Sequence, residues 1–145
     1  MNEVLALAAG LGGKKEVIRG GEGGTHPIPW PYSHGVKVGN VLMIAGQVAL
    51  DDELRIVGMG DPKAQARQIW KNIRLVCEAA GGKVTDVVRV LTWLDDLAYM
   101  DAVHTVRREV FPDGDYPIAS IFQAEKMGAP GLLIETEAMA IIGCS

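Results

Sequence analysis

The chain has only two cysteines, Cys77 and Cys144, far apart and in no C-x-x-C spacing, so neither a disulfide framework nor a cysteine zinc site is expected. Positive charge is also in short supply, 14 Lys and Arg against 18 Asp and Glu, a net charge of −4. With a pI near 5.3, a binder that draws its affinity from many phosphate contacts is disfavoured, and nucleic acid is not the expected partner. Aromatic residues make up only 6%, and no segment interleaves them with basic residues as single-strand binders do. Long apolar runs are missing as well. The stretch from Val4 to Ala9 has no basic residue before it and is too short to span a bilayer, so it reads as a short helix or a loose end and no membrane association is expected. Walker-type phosphate loops, H-E-x-x-H and G-x-S-x-G are all absent, which leaves metal hydrolysis and α/β-hydrolase chemistry without support. A reduced, cytoplasmic protein is the expectation.

What is present is enough for one core: 145 residues, 48% of them hydrophobic. Glycine pairs break the first part into pieces, leaving a short strand at residues 15–19, and Pro27, Pro29 and Pro31 then forbid regular structure. Two β-rich runs, 36–38 and 41–48, flank Gly39-Asn40, a dipeptide suited to a hairpin turn. Asp61-Pro62 and Gly81-Gly82 are start and stop signals for a helix over 62–80, whose Ile69, Ile73, Val76, Cys77 and Ala80 form one apolar stripe. A buried strand follows at 86–94, then a helix at 98–111 and strands at 118–126 and 132–142. The strand–helix–strand unit permits a parallel crossover, and the strand groups at the two ends, joined by short turns, are expected to pair antiparallel. The pattern predicts an α+β domain with one mixed sheet and both helices on the same face. Its other face is also apolar, and a second copy of the chain is the simplest cover for it.

Few residues stand out chemically. Glu135 and Glu137 lie two apart on a strand and so share the face of Leu133, Met139 and Ile141, where shielding from water would raise a carboxyl pKa. An isolated E-x-E is nonetheless more often solvated at a sheet edge or subunit rim. His104 sits at the boundary of its helix, on the side of Met100, Arg107, Arg108 and Phe111. His34 follows Trp30-Pro31-Tyr32-Ser33, a loop that could border a pocket or act only as a rigid connector. Ser120 would be a nucleophile only beside a base.

Three segments, Pro31-Tyr32-Ser33-His34-Gly35-Val36-Lys37-Val38-Gly39-Asn40, Ala45-Gly46-Gln47-Val48 and Ala64-Gln65-Ala66-Arg67-Gln68, resemble the Rid family, also called YjgF/YER057c/UK114. Asn72-Ile73, Glu78-Ala79-Ala80-Gly81, Asp96-Leu97, Tyr116-Pro117 and Ile134-Glu135-Thr136-Glu137-Ala138-Met139-Ala140 continue the match, which runs from about Lys15 to Ile142. The resemblance implies a single domain over 15–145 behind an N-terminal extension, 1–14, with a chorismate-mutase-like fold. It further implies a homotrimer with clefts between subunits, and hydrolysis of small reactive enamines or imines to carbonyl compounds and ammonia without cofactor or metal.

Matched to the family's cleft, Tyr32, Gly46 and Glu135 agree. Ala119 stands where the family has an arginine whose guanidinium would clamp a substrate carboxylate. His104 stands where asparagine is common and Phe122 where a small residue or cysteine is common, while Trp30 and Trp93 either line the site or are ordinary structural tryptophans. The expectation is a hydrolase of an arginine-lacking branch, acting on a C–N bond in an enamine, imine or aminomuconate-like small molecule. Glu135 would activate water, and Tyr32 or His104 would relay the proton. Gly46, Ala119, Ser120, Phe122, His34 and Trp93 would bind substrate, with the choice of which histidine, His34 or His104, faces the cleft left open. The competing readings are a non-catalytic ligand-binding or protein-stabilising trimer and an endoribonuclease.

Overall fold

A computed structural model describes residues 13–145, so the Val4–Ala9 stretch and all but the end of the expected 1–14 extension lie outside the described residues. Among the described residues, six strands and two α-helices follow in the order β1 (Glu16–Ile18), β2 (Gly35–Val38), β3 (Val41–Gln47), α1 (Pro62–Ala79), β4 (Val87–Leu94), α2 (Met100–Val110), β5 (Ile118–Gln123) and β6 (Ile134–Ile141). Local chemistry sets several of these limits. Gly39 takes φ of 61° in the β2–β3 turn, a left-handed value that only glycine adopts without cost. Asp61 caps α1 by accepting from the backbone N–H groups of Lys63 and Ala64, both at 3.0 Å, with Pro62 pre-set for the first turn. The second helix begins later than its pattern suggests, because Asp96 accepts from Ala98 N–H and first winds Leu97–Tyr99 into a 3₁₀ turn.

The strands form one sheet in the order β1-β2-β3-β6-β4-β5. β4 and β5 pair parallel across α2, and the other neighbours pair antiparallel. The expectation of an antiparallel pairing between the last two strands is corrected here. β5 and β6 are not neighbours, since β6 inserts between β3 and β4 and leaves β5 as the far edge. A strand whose alternate residues Ile134, Thr136, Ala138 and Ala140 are all buried gains more at the sheet centre than beside an edge strand.

Both helices cover one face, where Leu42, Ile44, Val90, Leu94, Ile134 and Ala140 of the sheet join Ile69, Ile73, Val76, Val103 and Val106 in a single buried cluster. The other face is left open. Met43, Ile118 and Phe122 are 46%, 69% and 55% exposed, and β6 sends Glu135, Glu137, Met139 and Ile141 to that side in strict alternation with buried residues.

Candidate functional site

On the open face, three features converge on Glu135. The pairing of β3 with β6 slips between Ile44, opposite Ala138, and Gln47, opposite Thr136, so that Ala45 and Gly46 together face Glu137. This bulge brings Gly46 against Glu135 so closely that a Cβ at position 46 would overlap its carboxylate. Glycine is favoured there by proximity, not by backbone angle, since any larger residue would have to displace the Glu135 carboxylate. On the other side, Glu135 lies opposite Trp93 of β4, and Trp93 opposite Phe122 of β5, so two aromatic rings extend the floor beside the acid. Tyr32 completes the group from the proline-rich segment, half-exposed and stacked on Trp30 with centroids 6.3 Å apart and planes within 3°.

The electrostatics follow from this placement. Burial pushes the Glu135 carboxyl above its ordinary value, and Glu137 two residues on adds to the shift. Burial also raises the Tyr32 phenol, and the nearby Glu135 adds to it. A strengthened base thus stands beside a phenol held in its protonated form. Arg89 reaches Glu137, with an N···O separation of 4.0 Å, but forms no ion pair with Glu135 among the described residues.

His34 has a different place from either sequence reading. It is 1% exposed, so its ring neither borders a pocket nor serves a bare connector. Its Nε2 donates to the His26 carbonyl at 2.8 Å, and its Nδ1 accepts from Gln47 Nε2 at 3.2 Å, a consistent neutral tautomer. His26 packs edge-on against it at 4.4 Å. The ring is therefore an internal brace for the bulge that presents Gly46. Gln47 does not stand out in the sequence although it sits in the motif, because an amide on a β-rich run carries no local sign of facing inward.

His104 and Ala119 lie on the far side of the sheet from Glu135. Ala119 pairs with Val90, which is buried under the helices, whereas Glu135 pairs with Trp93 on the open face. His104 belongs to α2, which packs on the helical side, and with Arg107, Arg108 and Tyr116 it lines a separate cavity of about 250 Å³. One chain therefore brings together Tyr32, Gly46, Trp93, Phe122 and Glu135, and holds His104 and Ala119 elsewhere. Ser120 pairs with Leu91 on the open face and hydrogen-bonds no base among the described residues. Cys77 is sealed in the core, and burial pushes its thiol up to about 12, far from a useful nucleophile. Among the described residues, no cluster of three or more His, Cys, Asp or Glu is placed to hold a metal ion, and no helix is long and apolar enough to cross a membrane.

Fold and site together define a class: a small α+β domain whose mixed sheet is covered on one side and presents a sheltered carboxylate on the other. The family model described as Endoribonuclease L-PSP matches residues 26–142. The chain belongs to that family, the Rid or YjgF/YER057c/UK114 family. A RutC family protein of Pyrococcus horikoshii is 37% identical over 110 residues, covering 76% of this chain and 86% of that protein. Among solved structures, RidA from an Antarctic Psychrobacter is 31% identical with a TM-score of 0.78, over 88% of this chain and 99% of its own. The Escherichia coli YjgF gene product is 27% identical with the same TM-score, over 87% and 98% of the two chains.

Proposed function

We propose that this protein is a cofactor-independent hydrolase that releases ammonia from a small enamine or imine, working as a homotrimer. The observation that carries the reading is the convergence of Tyr32 and Gly46 on Glu135, whose carboxyl is raised by burial. In the proposed reaction the Glu135 carboxylate accepts a proton from water as the oxygen bonds to the imine carbon. The C=N pair moves to nitrogen, which takes a proton from the Tyr32 phenol. The protonated Glu135 carboxyl then gives its proton to the nitrogen, the C–N bond breaks, and the hydroxyl proton passes back to the Tyr32 phenolate as the carbonyl closes, so that C=NH and water become C=O and NH₃ with both side chains restored. A carboxyl with a raised pKa is a better base than a solvated one, and a phenol with a raised pKa keeps its proton at neutral pH.

The trimer is supported by the same geometry. His104 and Glu135 stand on opposite faces of one sheet, so they share a cleft only where the open face of one copy meets the helical edge of another. The exposed Met43, Ile118 and Phe122 are the apolar surface such a contact would bury. With Ala119 in place of the family arginine, 2-imino acids are not the default substrates unless another cation serves. The family model's name points instead to RNA cleavage, but the open face offers two carboxylates and one arginine where a phosphate backbone would need cations.

The test is ammonia release from imines generated in situ, from amino acids and from amines lacking a carboxylate, with wild type and Glu135→Ala. Turnover that disappears in the variant while the assembly persists supports the role, and turnover unchanged in the variant defeats it.

A further inference from the structure

The second cavity contains a charge without a counter-ion. Arg107 is 8% exposed, yet its side chain makes no ion pair or hydrogen bond among the described residues, and its Nε is sealed from solvent without a partner. A guanidinium stays protonated at any working pH, and burial here takes its Nε–H out of water and supplies no partner in exchange. Burial lowers its proton affinity in consequence. The side chain lines two spaces. One is a closed gap of about 10 Å³ beside Thr92, Thr136 and Ile134, too small for a solute. The other is the cavity of about 250 Å³ shared with His104, Arg108 and Tyr116, which opens to the surface. The stem is thus clamped between α2 and the sheet, and the cavity is the only one of the two in which a ligand can meet the guanidinium.

We propose that this cavity is a receptor for the carboxylate of a small organic anion, with Arg107 as its clamp. The proposal rests on the small-molecule reading above and deepens it by naming the charge the substrate carries. A carboxylate matches the planar fork with two parallel N–H···O bonds, and one buried fork balances one negative charge. The half-exposed Tyr116 ring offers an apolar wall for the rest of the molecule, and Arg108 at the mouth adds a second positive charge without being buried. A dianion such as phosphate would need donors on several sides, which four lining residues on one helix and one loop do not arrange. In this chain the clamp therefore comes from α2, in place of the side chain missing at Ala119 on β5.

Binding is the readout, independent of turnover. Crotonate, its neutral counterpart crotonamide and inorganic phosphate are titrated into wild type, Arg107→Met, Arg107→Lys and Glu135→Gln, following the Arg107 Nε–H resonance and the heat of binding. Saturable crotonate binding by wild type and by Glu135→Gln is expected, at least tenfold weaker in Arg107→Lys and lost in Arg107→Met, with crotonamide silent. The lysine variant keeps the charge and tests the fork even should the methionine variant fold poorly. Saturation in wild type together with absent ammonia release would defeat the hydrolase reading and leave the receptor standing. Crotonate that fails to bind, binds equally to Arg107→Met, or is replaced by phosphate as the only ligand overturns the receptor, whatever the turnover.

Discussion

Replacing Arg107 by methionine should make the unliganded protein more stable. The native side chain buries a donor that has no partner, and a buried unsatisfied polar group costs roughly 1–3 kcal/mol. Methionine retains the apolar stem that packs between α2 and the sheet and discards the charged fork, whose place opens into the cavity and so leaves no sealed void. Exchanging buried ionic groups for apolar residues of similar shape is often neutral to stabilising. After some loss of contact, a net gain of about 1–2 kcal/mol remains, which in a chain of this size raises the melting temperature by about 3–6 °C. Calorimetry at matched protein concentration in a buffer free of carboxylates and phosphate measures it. Arg107→Ala is the control: it loses the stem as well and should melt well below Arg107→Met, since truncation of a buried stem of this kind costs about 2 kcal/mol or more. A fall of several degrees in Arg107→Met would refute the reasoning, because it would mean that the guanidinium is already satisfied in the free protein. A rise, joined to lost anion binding, would be the signature of a residue kept for function against stability.

Other outcomes follow from the same geometry. Gly46→Ala must displace the Glu135 carboxylate, and ammonia release should fall at least about tenfold, roughly 1.4 kcal/mol of barrier, with an unchanged circular dichroism spectrum. With Glu135 in the proposed role of base and its pKa raised by burial, turnover should climb with pH through that value and level off above it, and Glu135→Gln should show no such limb in a pH–rate profile. Burial lowers the His34 pKa, so below its ordinary value near 6.5 the unfolded chain binds the proton that the folded chain refuses. That contribution to stability is complete above the unfolded value and is lost as pH falls through the folded one. Melting temperature should therefore drop on acidification from pH 7, and His34→Gln should flatten that part of the curve. Met43→Glu places a charge on the open apolar face and should reduce sedimentation to that of a single chain.

The sheet's two faces were legible in the sequence because alternation is a local property: Glu135, Glu137, Met139 and Ile141 fall on one side whatever their strand pairs with. The limits of α1 were equally local, carried by Asp61, Pro62 and the glycines after Ala80. The insertion of β6 between β3 and β4 was not, since partner choice depends on which face of which distant strand gains most by burial. His34 shows the same limit at the level of one residue. Its loop reads as a pocket wall or a rigid connector, and only the β3 bulge, which turns Gln47 inward, makes it a brace. Arg107 is the opposite case, a signal present but undervalued. It lies one helical turn after Val103 and one before Phe111, both buried, while its neighbour Arg108 falls on the outer side. That spacing alone marks Arg107 as an inward cation. A charge so placed, on the helical side, and a raised carboxyl on the open side are separated by the sheet. A substrate that meets both must lie where the edge strand β5 ends the sheet, across the join between two copies. The sheet thus makes assembly a condition of the chemistry proposed: a variant that holds single chains apart should keep the Arg107 receptor, which α2 builds within one chain, and lose ammonia release.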